Sequence, residues 1–344
     1  MAWVSARRSR RALRDGPAAD HLRGRLDEDL PPGDRNGMIV HPTGKFDNAP
    51  ADNKSIEVVP LAAAMGAEIR RVRLASLSDE AFAEVRAALF RHKMIYFRDQ
   101  DLTHGQQEAF AARFGPFAED AYTKGVAGHP NVQPLIKEAG TRPGVIFGSG
   151  WHTDSPFLKE PPAISMLYGV DIPPWGGDTI WANAALAYAT LSDTLRTMIA
   201  PLRVHMSMGL VLSSAQQHQK ADDTPIGRLA ATKGMERLPD EVARKVEGSY
   251  HPLVRTHPVT GEKSLYFDQT YSAGIEGLTA AEAEPLLKFL VGHITQPAFT
   301  CRLRWAPKTF ALWDNRLCVH QAFNDHDPFR RELYRCTIAG EAPT

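Results

Sequence analysis

Trp151-His152-Thr153-Asp154 places one imidazole and one carboxylate two residues apart near the middle of the chain. On an extended strand, residues i and i+2 point to the same face, so the side chains of His152 and Asp154 would converge on one point. A short histidine–aspartate motif also arises by chance, and it then forms only a hydrogen-bonded pair on a strand. The motif therefore needs support from residues farther along the chain.

A second histidine, His320, supplies that support from far downstream. Together with His152 and Asp154 it offers a metal two nitrogen ligands and one oxygen ligand. Two histidines and a carboxylate on one face of a metal leave the opposite positions open, as in non-haem Fe(II) oxygenases. These three residues are therefore candidates for metal ligands and for the catalytic centre, with a hydrogen-bonded histidine–aspartate pair on a strand as the alternative. Asp314 and Asn315, which precede His320, are interpreted as turn and hydrogen-bonding residues.

The overall composition is typical of a soluble globular protein. Of the 344 residues, 43% are hydrophobic and 23% are charged, and the formal net charge is zero. This length suffices for one large domain or two ordinary ones. Without a net charge, no global field favours nucleic acid or an anionic membrane, and no apolar run is long enough to span a bilayer. We therefore expect neither partner.

Cysteine usage bears on the cellular compartment. The chain has only Cys301, Cys318 and Cys336, which are too few and too far apart for a disulfide framework or a cysteine-rich zinc site. Such usage fits a reducing compartment, and we expect a cytoplasmic protein.

Residues 1–50 differ in composition from the rest of the chain. They are rich in arginine and poor in apolar residues, which is typical of a disordered basic leader. The leader lacks the apolar core of a secretory signal, and both a solvated tail and a weak polyanion-binding arm remain open for it. Residues 51–344 are predicted to form a single domain with a polar insertion near 207–250.

Helix signals lie on either side of the metal motif. Ser78 precedes two acidic residues, and Thr103 has capping-box spacing to a glutamine, so each predicts a helix start. Another helix is predicted near 184–200. Residues 117–150 are rich in glycine, proline and polar side chains, and they are predicted to be an irregular segment of the kind that often forms a lid or binding loop.

The last predicted helix has two competing start signals. Thr279 and Glu282 have capping-box spacing, whereas Pro285 behind them indicates a start nearer Glu284. Strand signals dominate the two motif regions, and helices lie between them. This order suits an α+β domain in which an antiparallel β-sandwich or barrel bears the metal.

Several motifs together resemble the Fe(II)/2-oxoglutarate dioxygenases of the taurine dioxygenase and 2,4-D dioxygenase (TauD/TfdA) family. The resemblance covers roughly residues 55–341 in family order, and the combination of motifs is highly specific. The matching pieces are Trp151-His152-Thr153-Asp154, Pro161-Pro162-Ala163, Gly176-Gly177-Asp178-Thr179, Trp313-Asp314-Asn315-Arg316 leading to His320, Arg330-Arg331, Arg335 and Thr337-Ile338-Ala339-Gly340. The resemblance implies a double-stranded β-helix (jelly-roll) core with flanking helices and a metal at its open end.

The resemblance also implies a role for each matching residue. His152, Asp154 and His320 match the family's iron ligands. Thr179 and Arg331 match the positions that bind the distal carboxylate of 2-oxoglutarate. Arg335 matches a position that, in sulfonate-utilising relatives, meets the anionic group of the substrate.

Elementary chemistry agrees with these roles. A guanidinium can bind a buried carboxylate through two hydrogen bonds, and a hydroxyl can add a third. Arg331 and Arg335 are four residues apart, so on a strand both would face the same side. Two inward cations are costly unless each meets an anion. One arginine would meet the cosubstrate, and the other would meet the substrate.

The implied activity is an Fe(II)- and 2-oxoglutarate-dependent dioxygenase that consumes O2 and releases succinate and CO2. Its substrate would be a small organic anion of the alkylsulfonate, alkylsulfate or aryloxyalkanoate type, hydroxylated at carbon. A homo-oligomer is expected, because relatives are often dimers or tetramers. Two other classes remain open at this stage, a jelly-roll metal hydrolase and a non-catalytic ligand-binding module.

Overall fold

The computed structural model describes residues 46–119, 124–140, 148–209, 211, 243–244 and 247–344. Nearly all of the predicted leader (1–50) and most of the predicted insertion (near 207–250) lie outside these residues. Within the described ranges, no helix has both the length and the apolar character needed to cross a membrane.

The described residues contain both strands and helices. The strands are β1 (Glu57–Pro60), β2 (Ala67–Arg70), β3 (Met94–Phe97), β4 (Gln133–Lys137), β5 (Ile164–Asp171), β6 (Thr179–Asn183), β7 (Arg203–Met206), β8 (Ser249–Pro252), β9 (Val254–Thr256), β10 (Lys263–Leu265), β11 (Ser272–Ile275), β12 (Thr300–Leu303), β13 (Phe310–Asp314), β14 (Cys318–Ala322) and β15 (Arg331–Ile338). The helices are α1 (Asp79–His92), α2 (His104–Ala112), α3 (Ala184–Ala189), α4 (Asp193–Ile199) and α5 (Ala280–Ile294).

The two helix starts predicted before the metal motif are confirmed. The Ser78 side chain accepts a hydrogen bond from the Ala81 backbone N–H at the start of α1. Thr103 and Gln106 form a complete capping box at the start of α2. These caps satisfy N–H groups that the first helical turn leaves without partners.

The segment near 184–200 is two helices instead of one. Helix α3 ends at Ala189, and Ser192 then caps α4 by accepting from the Leu195 N–H. Serine competes with helical hydrogen bonding inside a helix but satisfies free N–H groups at its start, which explains the break.

Two other expectations need correction. The segment 117–150 is not wholly irregular, because β4 lies within it and pairs with β15. Helix α5 starts at Ala280, not near Glu284, and Pro285 lies inside it. The capping box between Thr279 and Glu282 satisfies the first turn and fixes the earlier start.

The largest sheet has seven strands in the order β1-β2-β3-β13-β5-β15-β4. Its pairs are antiparallel except β2 with β3. A second sheet has the order β12-β6-β14 and is antiparallel throughout. Smaller sheets are formed by β11-β7-β8 and by β9 with β10. The fold is therefore mixed α+β, as predicted.

The seven-stranded sheet has different neighbours on its two faces. Helices α1 and α2 cover one face through buried side chains such as Val85 and Phe110, which form a helix-side cluster with Phe310. On the other face, an inner cluster joins this sheet to β12-β6-β14 and includes Trp181 and Leu333. Burial of these apolar side chains is the main stabilising contribution to the fold.

Strand β15 shows how the faces are divided. Leu333 belongs to the inner cluster, whereas Cys336 belongs to the helix-side cluster. Because side chains alternate along a strand, Arg331 and Arg335 lie on the same face as Leu333. Both arginines are therefore carried toward the space between the two large sheets.

His92, the last residue of α1, is buried and anchors the chain before the first strand. Its Nδ1 lies 2.6 Å from Asn48 Oδ1, and the Gly66 backbone N–H donates to the His92 carbonyl. Burial lowers the pKa of His92 to about 4, with Arg91 and Lys93 adding to the effect. The folded protein therefore keeps this imidazole neutral at a pH where an exposed histidine is charged.

Stability is expected to decrease as the pH falls from the ordinary histidine pKa toward about 4. In this window the unfolded chain binds a proton at His92 and the folded chain does not. The free energy of unfolding therefore falls by up to about 1.4 kcal/mol per pH unit. Urea unfolding at about pH 7 and about pH 5 measures the effect. The difference should shrink in His92→Gln and persist in the control His104→Gln; an unchanged difference in His92→Gln would contradict the prediction.

Candidate metal and cosubstrate site

The backbone brings the two predicted histidine ligands together directly. His152 N–H donates to the His320 carbonyl over 2.9 Å, and His320 N–H donates to the His152 carbonyl over 2.7 Å. His320 lies in the middle of β14, but His152 forms only an isolated bridge and not the regular strand expected. The chain turns soon afterwards, since Ser155 has a φ of 46°.

His152, Asp154 and His320 form one buried group of side chains, which we call the metal cluster. One potential ligand atom from each residue lies within 4.8 Å of the other two. Asp154 Oδ1 is 3.8 Å from Nε2 of each histidine. All three residues are less than a tenth exposed. The residues singled out by the sequence motif therefore do converge, and their donor atoms face a common centre.

Hydrogen bonding selects the nitrogen of His152 that faces this centre. Its Nδ1 lies 2.8 Å from the Gly150 carbonyl, which can only accept, so Nδ1 carries the proton and Nε2 has a free lone pair. The His320 ring packs against Trp313, with 4.7 Å between ring centroids. Burial, and secondarily His152, lower the pKa of His320 to about 3. The His320 imidazole is thus a neutral donor at physiological pH.

Asp154 is kept ionised in spite of its burial. Burial alone would raise its pKa, but the nearby His320, Arg335 and His152 hold the pKa below its usual value. An ionised carboxylate beside two imidazole nitrogens is a donor set suited to a divalent metal ion.

Asp268 fixes the segment between His152 and Asp154. Its carboxylate accepts from the backbone N–H groups of Thr153, Thr270 and Tyr271 at 2.7–3.1 Å. The Thr270 hydroxyl donates to the Trp151 carbonyl over 3.0 Å. Sequence reasoning missed Asp268, because a single aspartate in a turn carries no sign of a partner more than a hundred residues away.

Thr179 and Arg331 meet at a common neighbour, Trp305. Trp305 Nε1 donates to Thr179 Oγ1 over 3.0 Å, and the Arg331 guanidinium lies 5.9 Å from the Trp305 ring centroid. Arg331 also donates to the Gly177 carbonyl over 3.0 Å. Gly177 has a φ of +67°, and a Cβ there would lie only 3.1 Å from Arg331 Nε. The sequence-predicted pair is therefore brought together, with glycine making room for the cation.

Arg331 has capacity for a further acceptor. Its Nε is buried and has no hydrogen-bond partner among the described residues. Burial lowers its pKa to about 10, so the side chain remains a cation at neutral pH. A partly buried cation with a buried, unused donor atom suits an anionic ligand such as a carboxylate.

Arg335 lies near the metal cluster. Its charge contributes to the low pKa of Asp154, and its backbone pairs with Leu167, a member of the inner cluster. Paired residues of antiparallel strands share a face, so Arg335 points toward the interior between the sheets. The structure therefore places both predicted arginines on the inner face of β15.

Gly148 lies against the His152 imidazole. A Cβ at this position would be 3.3 Å from His152 Cε1, and the Gly148 carbonyl accepts from the Ala322 N–H over 2.8 Å. The backbone can therefore pass close to the metal cluster without a side chain crowding it.

These observations define a class of protein. A mixed α+β fold with a buried two-histidine, one-carboxylate cluster, and with arginines on the inner face of β15, is the arrangement of a mononuclear non-haem iron enzyme that takes an anionic cosubstrate. The donor set fits Fe(II), and the unused Arg331 Nε fits a carboxylate.

Comparison with known proteins supports this assignment to a class of enzyme. The family model described as "Taurine catabolism dioxygenase TauD, TfdA family" matches residues 57–337. An alpha-ketoglutarate-dependent sulfate ester dioxygenase of Pseudomonas putida is 35% identical over 290 residues, which cover 84% of this chain and 91% of the relative. An (S)-phenoxypropionate/alpha-ketoglutarate-dioxygenase of Sphingobium herbicidovorans is 30% identical over 293 residues, which cover 83% of this chain and 96% of the relative.

A solved structure extends the likeness to three dimensions. The crystal structure of a taurine dioxygenase from Burkholderia xenovorans superposes with a TM-score of 0.68 at 37% sequence identity, covering 85% of this chain and 91% of the other. The chain belongs to the TauD/TfdA family of dioxygenases. It is accordingly a 2-oxoglutarate-dependent dioxygenase, with Fe(II) as its metal and 2-oxoglutarate and O2 as cosubstrates. The hydrolase and binding-module alternatives do not fit this family.

Proposed function

We propose that His152, Asp154 and His320 hold Fe(II), that Thr179 and Arg331 bind the distal carboxylate of 2-oxoglutarate, and that Arg335 binds an organic anion. The buried metal cluster supports the first assignment, because its donor atoms already face one centre. The shared contact of Thr179 and Arg331 with Trp305 supports the second. The inner face of β15 supports the third, since it carries both arginines toward the same space.

When bound, iron and 2-oxoglutarate supply oxidising power from O2, with one oxygen atom ending in succinate and the other on a substrate carbon. The protein residues position the cosubstrate and the substrate. Arg331 orients the cosubstrate through hydrogen bonds and charge, and Thr179 adds a hydroxyl. Arg335 would hold the substrate anion so that its neighbouring carbon faces the metal cluster. The surrounding inner cluster limits access of water.

The core is proposed to be a double-stranded β-helix with flanking helices. The seven-stranded sheet and the β12-β6-β14 sheet would form its two walls, with the inner cluster between them. The proposed metal ligands support this layout, because His320 lies on the smaller sheet and Asp154 is close to β5 of the larger one.

We also propose a single dioxygenase domain over 51–344 and a homo-oligomeric state. Three free, buried cysteines support a proposed cytoplasmic location.

The proposed substrate is a sulfate ester or a related alkylsulfonate or aryloxyalkanoate anion, hydroxylated at the carbon beside the ether or sulfur group. The position of Arg335 supports this proposal, because a positive charge carried inward near the metal cluster attracts an organic anion. The two reported relatives act, by name, on a sulfate ester and on a phenoxypropionate. Hydroxylation beside the ester oxygen would release sulfate and leave an aldehyde or ketone.

Succinate formation across a substrate panel tests this proposal. The enzyme is incubated in air with Fe(II), ascorbate and 2-oxoglutarate, and with alkylsulfonates, alkylsulfates or aryloxyalkanoates in separate reactions. We expect one class to raise succinate well above the rate without substrate, together with equimolar sulfate, sulfite or phenol. Succinate that stays at the background rate with every anion would contradict the proposed substrate class.

Arg335→Gln should weaken substrate binding without weakening cosubstrate binding. Loss of a charged hydrogen bond to the substrate anion is expected to raise KM for the best panel substrate about 100-fold, an effect of about 3 kcal/mol. The 2-oxoglutarate Kd should change by no more than a few fold, because that anion meets Arg331. Steady-state kinetics and anaerobic calorimetry give the two numbers.

Arg330→Gln is the matched control for that experiment. Arg330 lies beside the start of β15 but forms solvent-accessible ion pairs with Glu138, Asp171 and Glu332. Such pairs contribute little, so KM should stay near the wild-type value. An equal loss in both variants would mean that the charge of this strand, and not Arg335, governs substrate binding.

A further inference from the structure

The two carboxylate oxygens of Asp154 have different surroundings. Oδ1 lies 3.8 Å from Nε2 of His152 and of His320, so it faces the metal centre. Oδ2 accepts a hydrogen bond from the hydroxyl of Ser165. Ser165 is completely buried, and water therefore does not compete for this bond.

Asn315 determines which way the Ser165 hydroxyl points. Asn315 Nδ2 donates to Ser165 Oγ over 2.9 Å, so the single hydroxyl proton of Ser165 is left for Asp154. Trp313 Nε1 donates to Asn315 Oδ1 over 2.9 Å and thereby fixes the orientation of the amide. Trp313, Asn315, Ser165 and Asp154 form a hydrogen-bond relay in which each donor has one acceptor.

Strands of the large sheet hold the relay in place. Ser165 on β5 pairs with Trp313 on β13 and with Thr337 on β15, so its position is fixed from both sides. The Asn315 backbone N–H donates to the Ala163 carbonyl over 2.9 Å. Ser165 is thus held rigidly on a central strand. It supports Asp154, which follows the isolated bridge at His152 and lies in no regular strand.

We propose that Ser165, oriented by Asn315, is a positioning residue that keeps Asp154 a ligand through one oxygen only. The inference rests on the proposed metal role of Asp154. Three protein ligands would leave open positions on the metal for the cosubstrate and for O2. If Oδ2 also turned to the metal, the carboxylate would occupy one of these positions. The bond from Ser165 prevents that rotation and keeps the cosubstrate position open.

The test measures cosubstrate binding to metal-loaded protein, without turnover. Wild type and Ser165→Ala are loaded with Co(II) under argon, and the visible Co(II) spectrum and the 2-oxoglutarate Kd are recorded for each. In Ser165→Ala we expect a changed Co(II) spectrum and a 2-oxoglutarate Kd raised about 10–100-fold, the usual range for loss of a ligand-orienting bond. Ser165→Thr keeps the hydroxyl and should restore values near wild type.

Ser264→Ala is the matched control. Ser264 is also fully buried, and its hydroxyl donates to the Arg316 carbonyl over 2.7 Å, outside the relay. It should keep the wild-type spectrum and Kd even if its melting temperature falls. An equal loss of cosubstrate affinity in Ser264→Ala and Ser165→Ala would overturn the proposal, as would a wild-type Kd in Ser165→Ala.

Asn315→Ala provides a second variant if Ser165→Ala does not fold. It leaves the hydroxyl in place but removes the group that orients it, and we expect the same direction of change in spectrum and Kd. Unchanged values would overturn the relay. Failure of the proposed metal site is a different result, because wild-type protein itself would then bind no Co(II) or no 2-oxoglutarate.

Discussion

Replacement of His152 by alanine is expected to lower 2-oxoglutarate-dependent succinate formation by at least about 10³-fold. His152 is buried and supplies one of three donor atoms around the proposed metal centre. Loss of a metal ligand removes several kcal/mol of stabilisation, and about 4 kcal/mol corresponds to this factor. Bound iron per protein, measured by metal analysis, should fall in parallel with activity.

His205→Ala is the control for that experiment. His205 lies on β7, stacks on Tyr250 and has no contact with the metal cluster among the described residues. We expect it to retain iron and activity. A His152→Ala protein that keeps both its iron stoichiometry and its turnover would refute the ligand assignment.

Replacement of Arg331 by alanine is expected to raise the 2-oxoglutarate Kd about 100-fold or more. Arg331 is a partly buried cation that donates to the Gly177 carbonyl, and its buried Nε has no hydrogen-bond partner among the residues that the structure describes. Truncation of one partner in a buried charged pair costs about 3 kcal/mol or more, which corresponds to this factor. Calorimetry on Mn(II)-loaded protein without O2 measures the effect.

Two further variants sharpen that result. Arg331→Lys keeps the charge but loses the planar two-donor geometry, so its Kd should lie between those of wild type and Arg331→Ala. Arg304→Ala removes an exposed arginine that binds the Pro174 carbonyl near the site, and its Kd should equal that of wild type. Equal 2-oxoglutarate Kd values in Arg331→Ala and wild type would show that the cosubstrate carboxylate binds elsewhere.

Local sequence signals predicted much of the described fold. Capping residues gave the starts of α1 and α2, since Ser78 and Thr103 satisfy backbone groups in their own helix. Errors arose where a local signal had two interpretations. Pro285 indicated a late helix start, but the Thr279 capping box determined the actual start. The break before Ser192 similarly depends on a cap within an otherwise helix-forming segment.

The proposed ligand set was accessible to sequence reasoning, whereas the residues that support it were not. His152, Asp154 and His320 stand in short motifs, and the structure brings them together. Ser165 and Asp268 lie in no motif, and each acts through a partner supplied by the folded sheet or turn. Such supporting bonds depend on tertiary contacts, which residue type and spacing do not encode.

The reciprocal backbone bridge between His152 and His320 has a consequence for how the protein folds. About half of the chain separates these two residues, and two hydrogen bonds join them directly. Closing so long a loop costs chain entropy before any bond is gained, and contacts between distant residues form slowly. With His320 as a proposed metal ligand, we expect metal affinity to appear late in folding, after β14 has docked. During synthesis, a nascent chain in which His320 has not yet left the ribosome lacks one residue of the proposed metal site.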